Sequence, residues 1–189
     1  MDEMIKRNKI ILTKDNTALL LIDIQEKILD VMANKESVIS NSIQLIKGFK
    51  VLNIPIYYTE QYPKGLGLTA SQLLTELDGL IPIQKMSFSC AGADNLFARL
   101  KDNNITQVVV AGIETHVCVE QTALDLIENG FQVDLAANAT SSRKEIDYKL
   151  ALDRMRNHGV EVTTSEAILF ELLTIAGTKE FKEISRIIK

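Results

Sequence analysis

Six short apolar runs, each followed by a stretch long enough for a helix, restrict what this chain can fold into more than any other feature. The runs are TALLLID at 17–23, IPIYYT at 54–59, IPIQKM at 81–86, ITQVVVAG at 105–112, FQVDLAA at 131–137 and VEVTT at 160–164. Helical patterns occupy the intervals near 25–52, 69–78, 91–102, 116–129 and 143–158, and two more follow near 165–174 and 179–188. Strands apolar on both faces and joined by helix-length connections belong in a parallel sheet covered by helices on each side. Right-handed crossovers then favour a doubly wound, three-layer α/β/α domain of Rossmann-like type. A helix over 25–52 would be unusually long, so a break is predicted near Asn34. Gly130 and Gly159 stand just before the next strand, where helix C-caps are expected.

The length of 189 residues fits a single domain over residues 1–189. Net charge is −4, and lysine and arginine are scattered rather than gathered in a basic stripe, so no nucleic-acid partner is expected. The opening MDEMIKRNKIILTKD lacks the apolar core and cleavage site of a secretory leader. ALLLI at 18–22 is far too short to span a bilayer. A cytoplasmic protein with no membrane association is the expectation. With two histidines and two cysteines at unhelpful spacing, a zinc site has too few ligands, and neither metal nor cofactor is expected.

Ligands of open α/β sheets collect at the carboxyl ends of the strands. Three reactive side chains are predicted there: Asp23 after the first strand, Lys85 at the end of the third and Cys118 just past the fourth. Thr115 is a plausible N-cap, which would put Cys118 in a first helical turn whose unpaired N–H groups favour a thiolate. Lys85 would add a full charge, and Asp23 could take the thiol proton and later activate water. Backbone N–H groups at the start of that helix could form an oxyanion hole. His116 is a poor base for Cys118, because residues two apart on a helix do not face each other. His158 reads as a favourable cation at a helix C-terminus, and Cys90 as structural or incidental.

The succession LLLIDIQ, TEQYPKGLG, KMSFS, VVVAGIETHVCV and the SSR of ATSSRKEID resembles the isochorismatase-like cysteine hydrolase superfamily, and more narrowly its isochorismatase domain-containing subgroup. That resemblance implies a six-stranded, mostly parallel sheet of order 3-2-1-4-5-6, with Asp23, Lys85 and Cys118 as the catalytic triad. It also implies a cis, non-proline peptide at Ile113–Glu114, an oxyanion hole from the N–H groups of Glu114 and Cys118, and a homo-oligomer. The segment TEQYPKG carries no histidine where related nicotinamidases build a metal site. True isochorismatases cleave a vinyl ether without a cysteine nucleophile, so Cys118 argues against that reaction.

The expected activity is therefore metal-independent hydrolysis of a small-molecule amide or related C–N bond through a thioester on Cys118. Gln25, Gln61, Tyr62, Phe88 and Glu114 are candidate substrate-binding residues, being motif or loop positions near the strand ends. The alternatives are a non-catalytic binding or scaffold protein that has kept the fold, and a hydrolase of an ester or vinyl ether.

Overall fold

The chain alternates strand and helix from Thr17 onward, and the computed structural model describes residues 7–189. The beginning of the leader-peptide reading, residues 1–6, lies outside them. The elements are β1 (Thr17–Ile22), α1 (Glu26–Leu29), α2 (Lys35–Val51), β2 (Ile56–Gln61), α3 (Pro63–Leu66), α4 (Ser71–Leu74), β3 (Ile83–Lys85), α5 (Leu96–Asp102), β4 (Gln107–Ile113), α6 (Glu120–Glu128), β5 (Gln132–Ser141), α7 (Glu145–Asn157), β6 (Glu161–Thr163), α8 (Ser165–Leu173) and α9 (Lys179–Ile187). All five strand pairings are parallel, in the order β3-β2-β1-β4-β5-β6.

The apolar runs are strands because they bury both faces. In β1, Leu19 and Leu21 enter one core with α2, α8 and residues of α9, while Ala18, Leu20 and Ile22 enter a second with α5, α6 and α7. Val109 and Ala111 of β4 join the first core, and Val108 and Val110 the second. These are the layers expected of helices on each side of a sheet.

Several boundaries differ from the sequence expectation. The second strand begins two residues later and runs to Gln61, because Pro55 has no N–H for the ladder and contributes only its carbonyl, which accepts from Leu19 N at 3.0 Å. The polar residues Glu60 and Gln61 continue the strand because each has a buried partner, Thr69 and Gln25 respectively. The helix expected near 91–102 starts only at Leu96, after a 3-10 turn at Cys90–Gly92 and a left-handed Asn95. The region near 69–78 forms a single turn of α-helix. The break near Asn34 is present, with Asn34 in the N-cap position of α2. Gly130 and Gly159 have φ of 85° and 91°, the left-handed conformation of a helix exit.

β1 and β4 lie side by side at the point where strand order reverses, paired from Thr17↔Gln107 to Ile22↔Gly112. Gly112 permits their close approach. Its φ is +133°, and a Cβ there would lie 2.1 Å from the Ile22 carbonyl oxygen.

Candidate active site

Asp23 leaves β1 in a left-handed conformation, φ 52°, which carries its side chain into the buried cleft at the strand ends. Its carboxylate is held at both oxygens. The Lys85 ammonium donates to Oδ2 at 2.6 Å and the Thr59 hydroxyl donates to Oδ1 at 2.7 Å. Lys85 also donates to the carbonyls of Ser87 (3.1 Å) and Phe88 (2.9 Å), so all three N–H bonds of the ammonium have acceptors. Such a lysine is an electrostatic fixture rather than a proton carrier. The third strand thus brings Lys85 across β2 to Asp23, a reach the sequence alone does not show.

Cys118 sits in a π-helical turn, Thr115–Val119, that continues into α6. The peptide Ile113–Glu114 before it is cis. Glu114 occupies the cap position, and the Thr115 hydroxyl is buried without a hydrogen-bond partner, so Thr115 is not the N-cap expected from sequence. The thiol donates to Gln61 Oε1 at 3.5 Å. Burial pushes the Cys118 thiol well above the ordinary range; the charge of Asp23 adds to that, and Lys85 only partly opposes it. The expectation of a lowered thiol pKa is therefore corrected. Burial and a neighbouring carboxylate both favour the neutral thiol, and the Lys85 charge is already engaged by Asp23.

The other candidates divide into walls and rim. Gln25 is fully buried; its Oε1 accepts from Gln61 N at 2.8 Å, and its Nε2 donates to Gln61 O at 3.0 Å and Gly67 O at 2.6 Å. Gln61 faces the Cys118 thiol. Tyr62 and Phe88 are exposed beside the cleft. The Glu114 carboxylate is taken up by Arg143, whose Nε donates to it at 2.8 Å, so that side chain is a structural anchor for the Thr115–Val119 turn rather than a free pocket group. Glu120, one turn beyond, is similarly held by Arg154 at 2.5 Å. His116 turns toward Ser142 (2.9 Å) and Asp147 (4.0 Å), away from a role as base. His158 Nδ1 lies 2.8 Å from the Arg154 carbonyl at the end of α7.

One residue near the site, Thr59, escaped the sequence reading, and another, Cys90, was expected to be structural or incidental. Thr59 is one more polar residue in an apolar strand, with no motif to mark it. Cys90 belongs to the same buried cluster as Cys118, and its backbone N–H donates to Thr122 Oγ1 at 2.9 Å, four residues beyond Cys118. Its thiol is pushed up to about 11 by burial, with Lys85 opposing. Among the described residues no group of three or more His, Cys, Asp or Glu side chains could hold a metal, and no helix is long and apolar enough to cross a membrane.

Residues 17–167 match the isochorismatase domain. The chain is 41% identical over 174 residues to isochorismatase domain-containing protein 1 of Salmo salar, an alignment covering 92% of this chain but 61% of that longer protein. Among solved structures, one described as the MAR1 ribonuclease of Caenorhabditis elegans has a TM-score of 0.87 and 36% identity, covering 94% of this chain and 91% of that one. The YcaC protein of Escherichia coli, described as an octameric hydrolase of unknown specificity, has a TM-score of 0.83 and 25% identity, covering 90% of this chain and 85% of that one. A domain match over most of the length and this level of identity make the chain a member of the isochorismatase-like hydrolase family.

Proposed function

We propose that the protein is a thiol hydrolase that cleaves a small amide or related C–N bond without a metal, using Cys118 as nucleophile, Asp23 as base and Lys85 to orient and hold the carboxylate. The observation that carries this reading is the convergence of three side chains from distant strands: a lysine with every N–H bond engaged, a carboxylate fixed at both oxygens, and a thiol near enough for its ionisation to feel the charges of both.

The raised thiol pKa favours a route in which the proton moves as the bond forms. Asp23 takes the proton while Sγ attacks the carbonyl carbon, so a free thiolate need not accumulate in the resting enzyme. N–H groups of Glu114 and Cys118 receive the developing oxyanion in this reading. The C–N bond breaks as Asp23 returns the proton to the leaving nitrogen. Water, deprotonated by Asp23, then hydrolyses the thioester, releasing a carboxylic acid and regenerating the thiol. Gln25, Gln61, Tyr62 and Phe88 form the pocket wall and rim. A homo-oligomer is part of the proposal, supported by the octameric E. coli relative, and light scattering tests it.

The deciding experiment is turnover of a panel of small primary amides by wild type, Cys118→Ala and Cys118→Ser, with RNA as a comparison substrate because the nematode relative is described as a ribonuclease. Amide turnover that vanishes in both variants, with an acyl adduct on Cys118 seen by intact-protein mass spectrometry, supports the reading. Full turnover by Cys118→Ala overturns it.

A further inference from the structure

Gln61 stands closest to the nucleophile of any side chain outside the triad for which a contact is seen, and its amide has only one sensible orientation. Its Nε2 lies 3.5 Å from the Met86 carbonyl oxygen, which can accept but not donate, so the nitrogen faces Met86 and Oε1 faces the thiol, at 3.5 Å from Sγ. The main chain of Gln61 is equally fixed. Both its N–H and its C=O are engaged by the buried side chain of Gln25, and it pairs with Lys85 in the β2–β3 ladder. The wall beside the sulfur is therefore a hydrogen-bond acceptor on a fixed main chain, with the Met86 carbonyl favouring the orientation that turns Oε1 to the thiol.

In the resting protein that acceptor is satisfied by the thiol itself. Once the proton has passed to Asp23 and sulfur is bonded to the substrate carbon, Gln61 Oε1 loses its donor. A buried acceptor left without a partner is destabilising. We infer that Gln61 selects for a hydrogen on the scissile nitrogen: the substrate is a primary or N-monosubstituted amide whose N–H replaces the thiol proton on Oε1 as the Sγ–C bond forms. An ester oxygen or a fully substituted amide nitrogen carries no such hydrogen. The amide loses its nitrogen with the proton held by Asp23, and the N–H already on Oε1 leaves with the departing ammonia or amine.

This inference rests on Cys118 acting as the nucleophile, and the test separates the two. Matched acetyl, butyryl and benzoyl series are made as primary amides, N,N-dimethyl amides and methyl esters. Their kcat/KM values are measured for wild type and Gln61→Met, with acylation of Cys118 followed by intact-protein mass spectrometry. Primary-amide turnover is expected to fall about tenfold in Gln61→Met, while esters and dimethyl amides change little, so that the variant loses the amide preference of the wild type. Equal losses across all three classes, or no loss for primary amides, would overturn the role given to Gln61 while leaving the thiol mechanism standing. Absence of any Cys118-dependent acylation in the wild type would remove the mechanism and the inference together. Gln61→Leu gives the same comparison if the methionine variant does not fold.

Discussion

Lys85 Nζ lies 2.6 Å from Asp23 Oδ2, with 0% and 2% of their side chains exposed, so the cation and the carboxylate compensate each other inside the protein. Removing one partner leaves the other charge buried, a loss of about 3–5 kcal/mol, whereas replacing both with apolar residues can be nearly neutral. Lys85→Met and Asp23→Leu are each expected to lower unfolding stability by about that much, and the double variant by clearly less than their sum. Urea unfolding of the four proteins measures the coupling.

The same pair sets the reactivity of Cys118. Because burial and the Asp23 carboxylate raise the thiol and Lys85 lowers it, Asp23→Asn is expected to shift the pH midpoint of Cys118 alkylation by iodoacetamide downward, and Lys85→Met to shift it upward. Asp23→Asn nevertheless loses turnover under the proposed mechanism, since no base remains for the proton. Peptide-level mass spectrometry separates Cys118 from Cys90. A midpoint that does not respond to Asp23→Asn would dissociate the carboxylate from the thiol.

Asp134 introduces a pH dependence away from the site. Burial raises its carboxyl to about 7, with a hydrogen bond from Gln132 opposing and Glu171 and Glu161 adding repulsion. An unfolded aspartate titrates near 3.9, so between about pH 4 and about pH 7 the folded chain holds a proton that the unfolded chain has released. The contribution to stability is fully present below that window and is lost as pH rises through it, amounting to a few kcal/mol at most. Asp134→Asn is expected to flatten this part of the stability–pH profile, and unfolding midpoints at about pH 5 and about pH 8 would show it.

Gly112→Ala is expected to be severely destabilising, by more than about 3 kcal/mol, because the new Cβ meets the Ile22 backbone in a conformation that L side chains rarely adopt. Thermal unfolding of the soluble fraction tests this. Gly79→Ala provides a comparison: its φ of +82° is also positive, but a Cβ would meet nothing within 4 Å, so the two variants separate conformational strain from steric contact.

Much of this architecture is legible in the chain because strands buried on both faces announce themselves as unbroken apolar runs. TALLLI and QVVVAGI are strands for that reason alone, and Asp23 stands out as the charge directly after one of them. The extension of β2 through Glu60 and Gln61 is illegible for the converse reason. Those residues are polar and buried, and their partners lie in other segments, Thr69 in the loop after α3 and Gln25 36 positions before Gln61. Thr59 is hidden likewise, its importance lying in a contact with Asp23 36 positions away. The thiol pKa is illegible for another reason: burial dominates it and the Asp23 carboxylate adds to it, while the charge of Lys85 is engaged by Asp23.

The sheet order divides the chemistry along a seam. Asp23, Gln61 and Lys85 belong to the half formed by β1, β2 and β3, whereas Cys118 follows β4 and is moored by Glu114 and Glu120 to arginines on the β5–α7 side. The separation of the Cys118 sulfur and the Asp23 carboxylate is thus a gauge of how the two half-sheets twist against each other. The six paired positions along β1 and β4 act as the splint that keeps that gauge at its working reading.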